Sequence, residues 1–317
     1  MTDVVVTDQT FGGVERERAL VDRLGLTFAD YQVRTAGEAA EVLARARVAF
    51  VNFAPMTEDV LRVLAPGAVV IRYGIGYDNV DIEAARRLGV RVCNVPDYGA
   101  ETVADHTVSM LLSLLRRLPA LDTAMRAGSS VNPSVAGVIR GFDQTVVGLV
   151  GTGRIGAAVV RRLLPFGFRV VAYDPYVPAD RIADLGAHAV GLPELYSVSH
   201  AVSLHVPLSP ATKHLLDAGA LDAMRDDAVL VNTARGGLVD QAALIHALQR
   251  SAIAGAALDV VEVEPLEADS PLRSMRNVLL SPHAAFYSES SLAALQRLAT
   301  EEAERALTGA PLRCEVS

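Results

Sequence analysis

The chain has 317 residues, 51% apolar and 21% charged, with 29 Lys and Arg against 37 Asp and Glu for a net charge of −8. That length fits two domains with separate cores, and the balance argues against a disordered chain. An acidic chain without a basic run offers no footprint for nucleic acid, and no apolar run approaches the ~20 residues of a membrane span.

Two cysteines, Cys93 and Cys314, lack CxxC spacing, so neither a disulfide framework nor a zinc site is indicated. The first residues read as a strand and not as a signal peptide, so a cytoplasmic location is expected. From residue 1 to about residue 98, short β-branched runs alternate with amphipathic helical patterns. Val4–Val6 opens the series, and further strands are predicted at Val48–Phe53, Ala68–Tyr73 and Val90–Cys93. Helices are predicted at Val14–Leu24, Glu38–Ala44, Thr57–Leu64 and Asp81–Leu88. Thr57 and Asp81 stand as N-caps ahead of acids in the first turn, and Gly89 stands as a C-terminal stop. Such alternation builds a parallel, doubly wound sheet.

A long helix is predicted over Glu101–Leu118, apolar nearly all round from Val108 to Leu115, which needs cover on more than one side. Its place between two sheets favours a domain or subunit interface, and hence a homodimer, over burial within its own chain. The Gly-, Ser- and Asn-rich stretch Arg126–Gln144 reads as a loop. A second α/β series follows, with strands at Val146–Val150, Val170–Tyr173, Ala187–Val190, Ala201–Leu204, Ala228–Val231, Ile253–Leu258 and Val278–Leu280. Ser288–Leu307 reads as a terminal helix, and no sequence repeat links the two halves.

Within that second series, Val146–Val150 runs into Gly151-x-Gly153-x-x-Gly156, and a helical pattern continues from Arg154 to Phe166. A buried strand, a tight turn and a helix with free N-terminal amides make an anion site. Gly151 allows the turn, Gly153 lets backbone approach a pyrophosphate, and Gly156 lets helix and strand pack closely. The next strand ends at Asp174, about 20 residues on, where a dinucleotide fold places the acid that holds the adenosine ribose. A carboxylate repels a 2′-phosphate, so Asp174 favours NAD over NADP.

Three further stretches stand at strand ends, where a doubly wound sheet binds ligands. Asn232–Asp240 places Arg235 before Gly236-Gly237, and its planar fork suits a carboxylate. Ala257–Pro265 is an acid-rich exit from an apolar strand, and Ser281–Phe286 carries His283 after Pro282. An Arg, a Glu and a His at three strand ends could bind a carboxylate, tune an imidazole and move a proton. Each alone also reads blandly, as a turn Arg, a solvated acid and a loop His.

At these residues the sequence resembles the D-isomer-specific 2-hydroxyacid dehydrogenases. The matching runs are Tyr73–Asp81, Gly148–Gly156, His205–Leu208, Asn232–Asp240, Gly255–Pro265 and Ser281–His283, in the family's order and spacing. Val92–Pro96 and Pro282–Glu289 look most like the branch containing the C-terminal-binding protein corepressors and their bacterial enzyme relatives. The resemblance implies two doubly wound, Rossmann-like α/β domains with the active-site cleft between them. Residues 1–100 plus 287–317 would form a discontinuous substrate domain, residues 101–286 the dinucleotide domain, with hinges near 98–101 and 286–288.

It also implies reversible hydride transfer between NAD(H) and a small 2-oxo or 2-hydroxy acid of D configuration. Arg235, Glu264 and His283 would be catalytic, Glu264 being chosen over Glu262 because it directly precedes Pro265. Arg235 and the amides of Ile75 and Gly76 would hold the substrate carboxylate. His283 would move the proton, with Glu264 orienting it and favouring its charged form. Arg154 and Ile155 would lie at the pyrophosphate, and Val206, Thr233, Ala234 and Asp259 around the nicotinamide half. For Asp259 a purely structural role at the strand end stays open.

His205 reads as structural, while His106, His188, His200, His214 and His246 show no partner pattern. The chain departs from many relatives in having no Trp, with Phe286 where the corepressor branch has one. An alternative class is an NAD(H)-sensing binding protein, which the corepressor resemblance allows and the intact acid–base set counts against. Arg72, just before the carboxylate-binding loop, raises the further possibility of a substrate with a second anion such as phosphate.

Overall fold

The computed structural model describes residues 2–128 and 132–317. The chain divides into two compact units, Met1–Gly99 with Ser288–Ser317, and Ala100–Tyr287. In the first, five strands form one parallel sheet: β1 (Val4–Val6), β2 (Phe28–Asp30), β3 (Val48–Val51), β4 (Val69–Arg72) and β5 (Arg91–Cys93). Their spatial order is β2-β1-β3-β4-β5. Successive side chains point to opposite faces, so Val5, Ala49, Val51, Val70 and Val92 enter one apolar layer. Val4, Val6, Val48, Phe50, Val69 and Ile71 enter the other. Helices Ala36–Val42, Glu58–Arg62 and Ile82–Leu88 close the first layer, and Glu15–Arg23 and Glu289–Thr308 the second. With both faces covered, the strands carry apolar runs where a half-exposed sheet would alternate.

Local chemistry explains where these elements begin. Asp81 accepts from the Ala84 amide at 2.9 Å, and Gly89 ends that helix at φ 68°. Thr57 stands at its N-cap position, but its side chain makes no capping bond. The helix expected from Glu38 starts at Ala36, because Thr35 and Glu38 form a reciprocal capping box. Strand β2 was not predicted: it lies at the sheet edge, no residue of it is buried, and it carries no apolar run. The chain end is also ordered by one acid. The buried Glu302 carboxylate accepts from the amides of Arg313 and Cys314, at 2.6 and 3.2 Å, and the tail then pairs antiparallel with β5 through Cys93 and Glu315.

The second unit holds seven parallel strands: β6 (Val146–Val150), β7 (Arg169–Tyr173), β8 (His188–Ala189), β9 (Ala201–Leu204), β10 (Val229–Asn232), β11 (Gly255–Leu258) and β12 (Val278–Leu280). Their order, β12-β11-β10-β9-β6-β7-β8, reverses its direction of growth between β6 and β9. That reversal is the switch point at which such sheets open a crevice beyond their carboxyl ends. The helices between these strands, Ala179–Asp184, Leu192–Val198, Ala218–Ala223 and Gln241–Gln249, were not singled out from sequence.

The single helix expected over 101–118 is corrected. It runs Ala100–Leu115, Arg117 takes a left-handed φ of 55°, and a new helix Leu118–Arg126 starts with Pro119 in its first turn. Proline lacks the amide that a continuing helix needs, and it is tolerated only at a fresh start. The apolar face of Ala100–Leu115 packs on helix Arg154–Leu163 and strands β10 and β11 of its own unit. That packing supplies the cover which the sequence reading assigned to an interface. The expected loop 126–144 contains two 3-10 turns, Pro133–Ala136 and Phe142–Gln144, and its residues 129–131 lie outside the described residues. Among the described residues no helix is long and apolar enough to cross a membrane.

Candidate active site

At the switch point the glycine turn has the predicted geometry. Gly151 sits at φ 95°, a region closed to most side chains, and its amide donates to the Tyr173 carbonyl at 2.8 Å. A Cβ there would meet the His205 carbonyl oxygen at 2.6 Å, so this glycine also lets β6 and the exit of β9 approach. A Cβ on Gly156 would run into the Gly151 carbonyl, which is the close helix–strand packing expected of it. Beside Gly153 there is open space within 4 Å, and helix Arg154–Leu163 begins there with no side chain capping its amides. A ten-residue helix with an open N-terminus suits a pyrophosphate.

Asp174 faces this turn directly. Its Oδ2 accepts from the Thr152 amide at 2.8 Å and hydroxyl at 3.0 Å, and its Oδ1 from the Tyr176 amide at 3.0 Å. A carboxylate offers about four acceptor sites, which leaves one open here and lets the Thr152 hydroxyl yield another to a ribose. The dinucleotide, where bound, supplies the hydride at its nicotinamide ring.

Across the switch point His205 is half-buried, and its Nε2 lies 2.9 Å from Ser203 Oγ. Desolvation pushes its imidazole down to about 4, so it is neutral at pH 7. The unfolded chain binds a proton near pH 6.5 that the fold refuses, so this histidine costs stability as pH falls from 6.5 toward 4. Between pH 7.5 and 5 that amounts to roughly 2 kcal/mol. His205→Gln is expected to flatten that part of the pH dependence, measured by urea unfolding at the two pH values.

Strand β10 delivers the arginine. The buried Asn232 side chain accepts from the Ala234 amide at 3.0 Å and donates to the Arg235 carbonyl at 2.8 Å, clamping the turn beyond the strand. Arg235 is itself extended, at φ −148° and ψ 140°, with Nη1 2.8 Å from the Ala234 carbonyl. Thr233 is buried. The Thr107 hydroxyl donates to the Val103 carbonyl, so the Thr233 hydroxyl is the donor in the 2.7 Å Thr233–Thr107 bond.

The histidine and glutamate come together. His283 Nδ1 lies 2.9 Å from Glu264 Oε2, and Glu264 Oε1 accepts from the Val261 amide at 3.3 Å. A carboxylate only accepts, so Nδ1 carries the hydrogen of this bond. His283 holds a left-handed φ of 52°, an uncommon conformation for a histidine, and the surrounding loop enforces it. Its amide donates to the Asp259 carbonyl at 2.8 Å.

Asp259 is the centre of that loop. Its buried carboxylate accepts from Ser281 Oγ at 2.5 Å, the Ala284 amide at 2.8 Å and the Ala285 amide at 2.9 Å. His106, for which no partner was read from sequence, lies 3.1 Å from Ser281 Oγ. Its carboxylate thus holds the residues that flank His283. Glu262 is paired with His214 and Gln241. Neither His106 nor His214 carries a local sequence signal, because their partners lie 175 and 48 residues away.

In the first unit, the turn after β4 is held from below. Asn94 Nδ2 donates to the Ile75 carbonyl at 2.7 Å and the Val95 amide to the Gly74 carbonyl at 2.9 Å. Gly74 sits at φ 135°, where a Cβ would collide with the Arg72 guanidinium. Arg72 is 8% exposed, with Nη1 2.7 Å from the Tyr73 carbonyl.

A glycine turn at a switch point, an acid at the end of the next strand and a His–Glu pair beyond the neighbouring strands define a dinucleotide-dependent oxidoreductase. A sequence profile of the D-isomer specific 2-hydroxyacid dehydrogenase NAD-binding domain matches residues 108–285, and the chain belongs to that family. It is 39% identical over 249 residues to a glyoxylate reductase of Korarchaeum cryptofilum, covering 78% of this chain and 75% of that one. The crystal structure of the TT0316 protein from Thermus thermophilus superposes with a TM-score of 0.88 at 33% identity, covering 99% of each chain. A D-lactate dehydrogenase from Aquifex aeolicus, complexed with NAD and lactic acid, gives a TM-score of 0.86 at 28% identity, covering 96% of each chain. The chain is thus an NAD-dependent oxidoreductase of the 2-hydroxyacid dehydrogenase family.

Proposed function

We propose that this protein reduces a small 2-oxo acid to the D-2-hydroxy acid with NADH, using Arg235, His283 and Glu264. The observation that carries this reading is the 2.9 Å bond between His283 Nδ1 and Glu264 Oε2. In the forward direction a hydride adds to C2, the carbonyl π pair moves onto oxygen, and His283 Nε2 delivers the proton. Arg235 grips the carboxylate and the carbonyl oxygen by charge-assisted hydrogen bonds. Glu264 orients the ring and balances its positive charge.

The division of labour follows the resemblance. Residues 1–100 with 287–317 bind the acid through the amides of Ile75 and Gly76, and residues 101–286 bind the dinucleotide. Gly151, Gly153, Arg154, Ile155 and Gly156 cradle the pyrophosphate, Asp174 the ribose, and Val206, Thr233 and Ala234 the nicotinamide half. Asp259 acts there through the loop it organises. Arg72 is buried and bonded to its own strand, which favours a plain 2-oxo acid over a phosphorylated one.

We further infer a cytoplasmic homodimer of the branch that includes the C-terminal-binding proteins. Helix Leu118–Arg126, whose Leu118 and Met125 are 53% and 62% exposed, supports the dimer. The test is turnover of NADH with a panel of 2-oxo acids, beside Arg235→Ala. Loss of both guanidinium contacts is expected to lower kcat/KM by at least ~100-fold. No turnover on any acid, or unchanged turnover in the variant, sinks the assignment.

A further inference from the structure

Two residues before Glu264, a second His–Glu pair stands outside the chemistry described above. His214 Nε2 lies 2.6 Å from Glu262 Oε1. The other oxygen of Glu262 accepts from the Gln241 amide at 3.2 Å, while its own amide donates to Gln241 Oε1, also at 3.2 Å. Glu262 is therefore pinned by side chain and backbone at once, to the first residue of helix Gln241–Gln249 and to His214. His214 is fixed in turn, at a left-handed φ of 51°, with its amide donating to the Gly237 carbonyl at 2.9 Å.

These contacts join three segments. Gly237 belongs to the turn that carries Arg235, and Val261 and Glu262 belong to the loop that carries Glu264. The two loops already touch, since a Cβ on Gly236 would overlap the Val261 carbonyl. The Val261 amide is itself a donor to Glu264 Oε1, at 3.3 Å. A shift of Glu262 thus moves Val261, and with it the carboxylate that orients His283.

We propose that Glu262, held by His214 and Gln241, is a positioning residue that fixes the Glu264 loop against the Arg235 turn. The proposal rests on the reading that Arg235, Glu264 and His283 perform the reaction. Magnitude separates it from an ordinary surface pair. The side chains of His214 and Glu262 are 35% and 30% exposed, and pairs so open to water add little stability. Misplacing a reacting group by an ångström, in contrast, slows a reaction by up to roughly a hundredfold.

The test uses the purified full-length protein with NADH and the best 2-oxo acid found for the wild type. His214→Ala and Glu262→Ala are expected to lower kcat roughly ten- to a hundredfold. NADH affinity, read by fluorescence titration, should stay within about twofold, and the unfolding midpoint within about 3 °C. His214→Gln keeps a nitrogen donor at similar reach and is expected to recover most of kcat. The double variant should be no slower than either single, because the pair acts as one unit. An inactive wild type removes the underlying reading and this proposal together. An active wild type whose two Ala variants match its kcat overturns the proposal alone. So does a loss of kcat that follows a collapse in unfolding midpoint and is not rescued by Gln.

Discussion

Replacing His283 by Asn is expected to lower kcat by roughly 10²- to 10⁴-fold, the range that a positioned general acid contributes. Asn is the informative replacement because the backbone at 283 is left-handed, and Asn adopts that region more readily than most residues. A larger loss from Ala or Leu would mix lost chemistry with a strained loop. Asp259 holds Ser281, Ala284 and Ala285 independently of the ring, so the loop should keep its shape in the variant. Affinity for NADH and the unfolding midpoint should therefore stay near wild type. Glu264→Gln should be milder, since an amide oxygen still accepts from Nδ1 but no longer balances the imidazolium charge. Single-turnover reduction with bound NADH reads the chemical step directly. Turnover in His283→Asn within tenfold of wild type would show that another group delivers the proton.

Much of this site was legible in the chain because its parts are local. Gly151-x-Gly153-x-x-Gly156, the apolar strand before it and Asp174 after it all lie within one βαβ unit. Glu264 and His283 could be named because each follows a strong apolar strand, β11 and β12, and because their surroundings resemble a known family. Elements set by long-range packing were harder to see. Strand β2 pairs at an edge and buries no residue, so Phe28-Ala29-Asp30 shows no alternation. The break at Arg117 is written in Pro119, which an apolar count over Val108–Leu115 ignores. The same count proposed an interface for a helix that β10, β11 and a neighbouring helix already cover. Asp259 shows the remaining difficulty. A strand-end acid gives no sign in the sequence of the three donors that meet it, because they lie 22 to 26 residues further on.

Gly236→Ala is expected to be the most damaging single methyl in the second unit. The residue is not in the left-handed region, so conformational freedom is not the reason a glycine stands there. Space is. The added Cβ would overlap the Val261 carbonyl and lie 2.5 Å from the Glu262 amide nitrogen, and both are backbone atoms with no rotamer to move into. The Arg235 turn and the Glu264 loop must then part. Overpacking of this kind typically destabilises by ~1–3 kcal/mol, and moving Arg235 away from Glu264 should lower kcat/KM by about 100-fold or more. The next residue supplies the control. A Cβ on Gly237 would meet only the Leu208 side chain, at 3.1 and 3.3 Å, which can swing aside. Gly237→Ala should thus keep activity within a fewfold of wild type. Steady-state kinetics and urea unfolding of the two variants side by side decide the matter. If Gly236→Ala retains as much activity as Gly237→Ala, the close approach of these loops is not what holds arginine and glutamate in register.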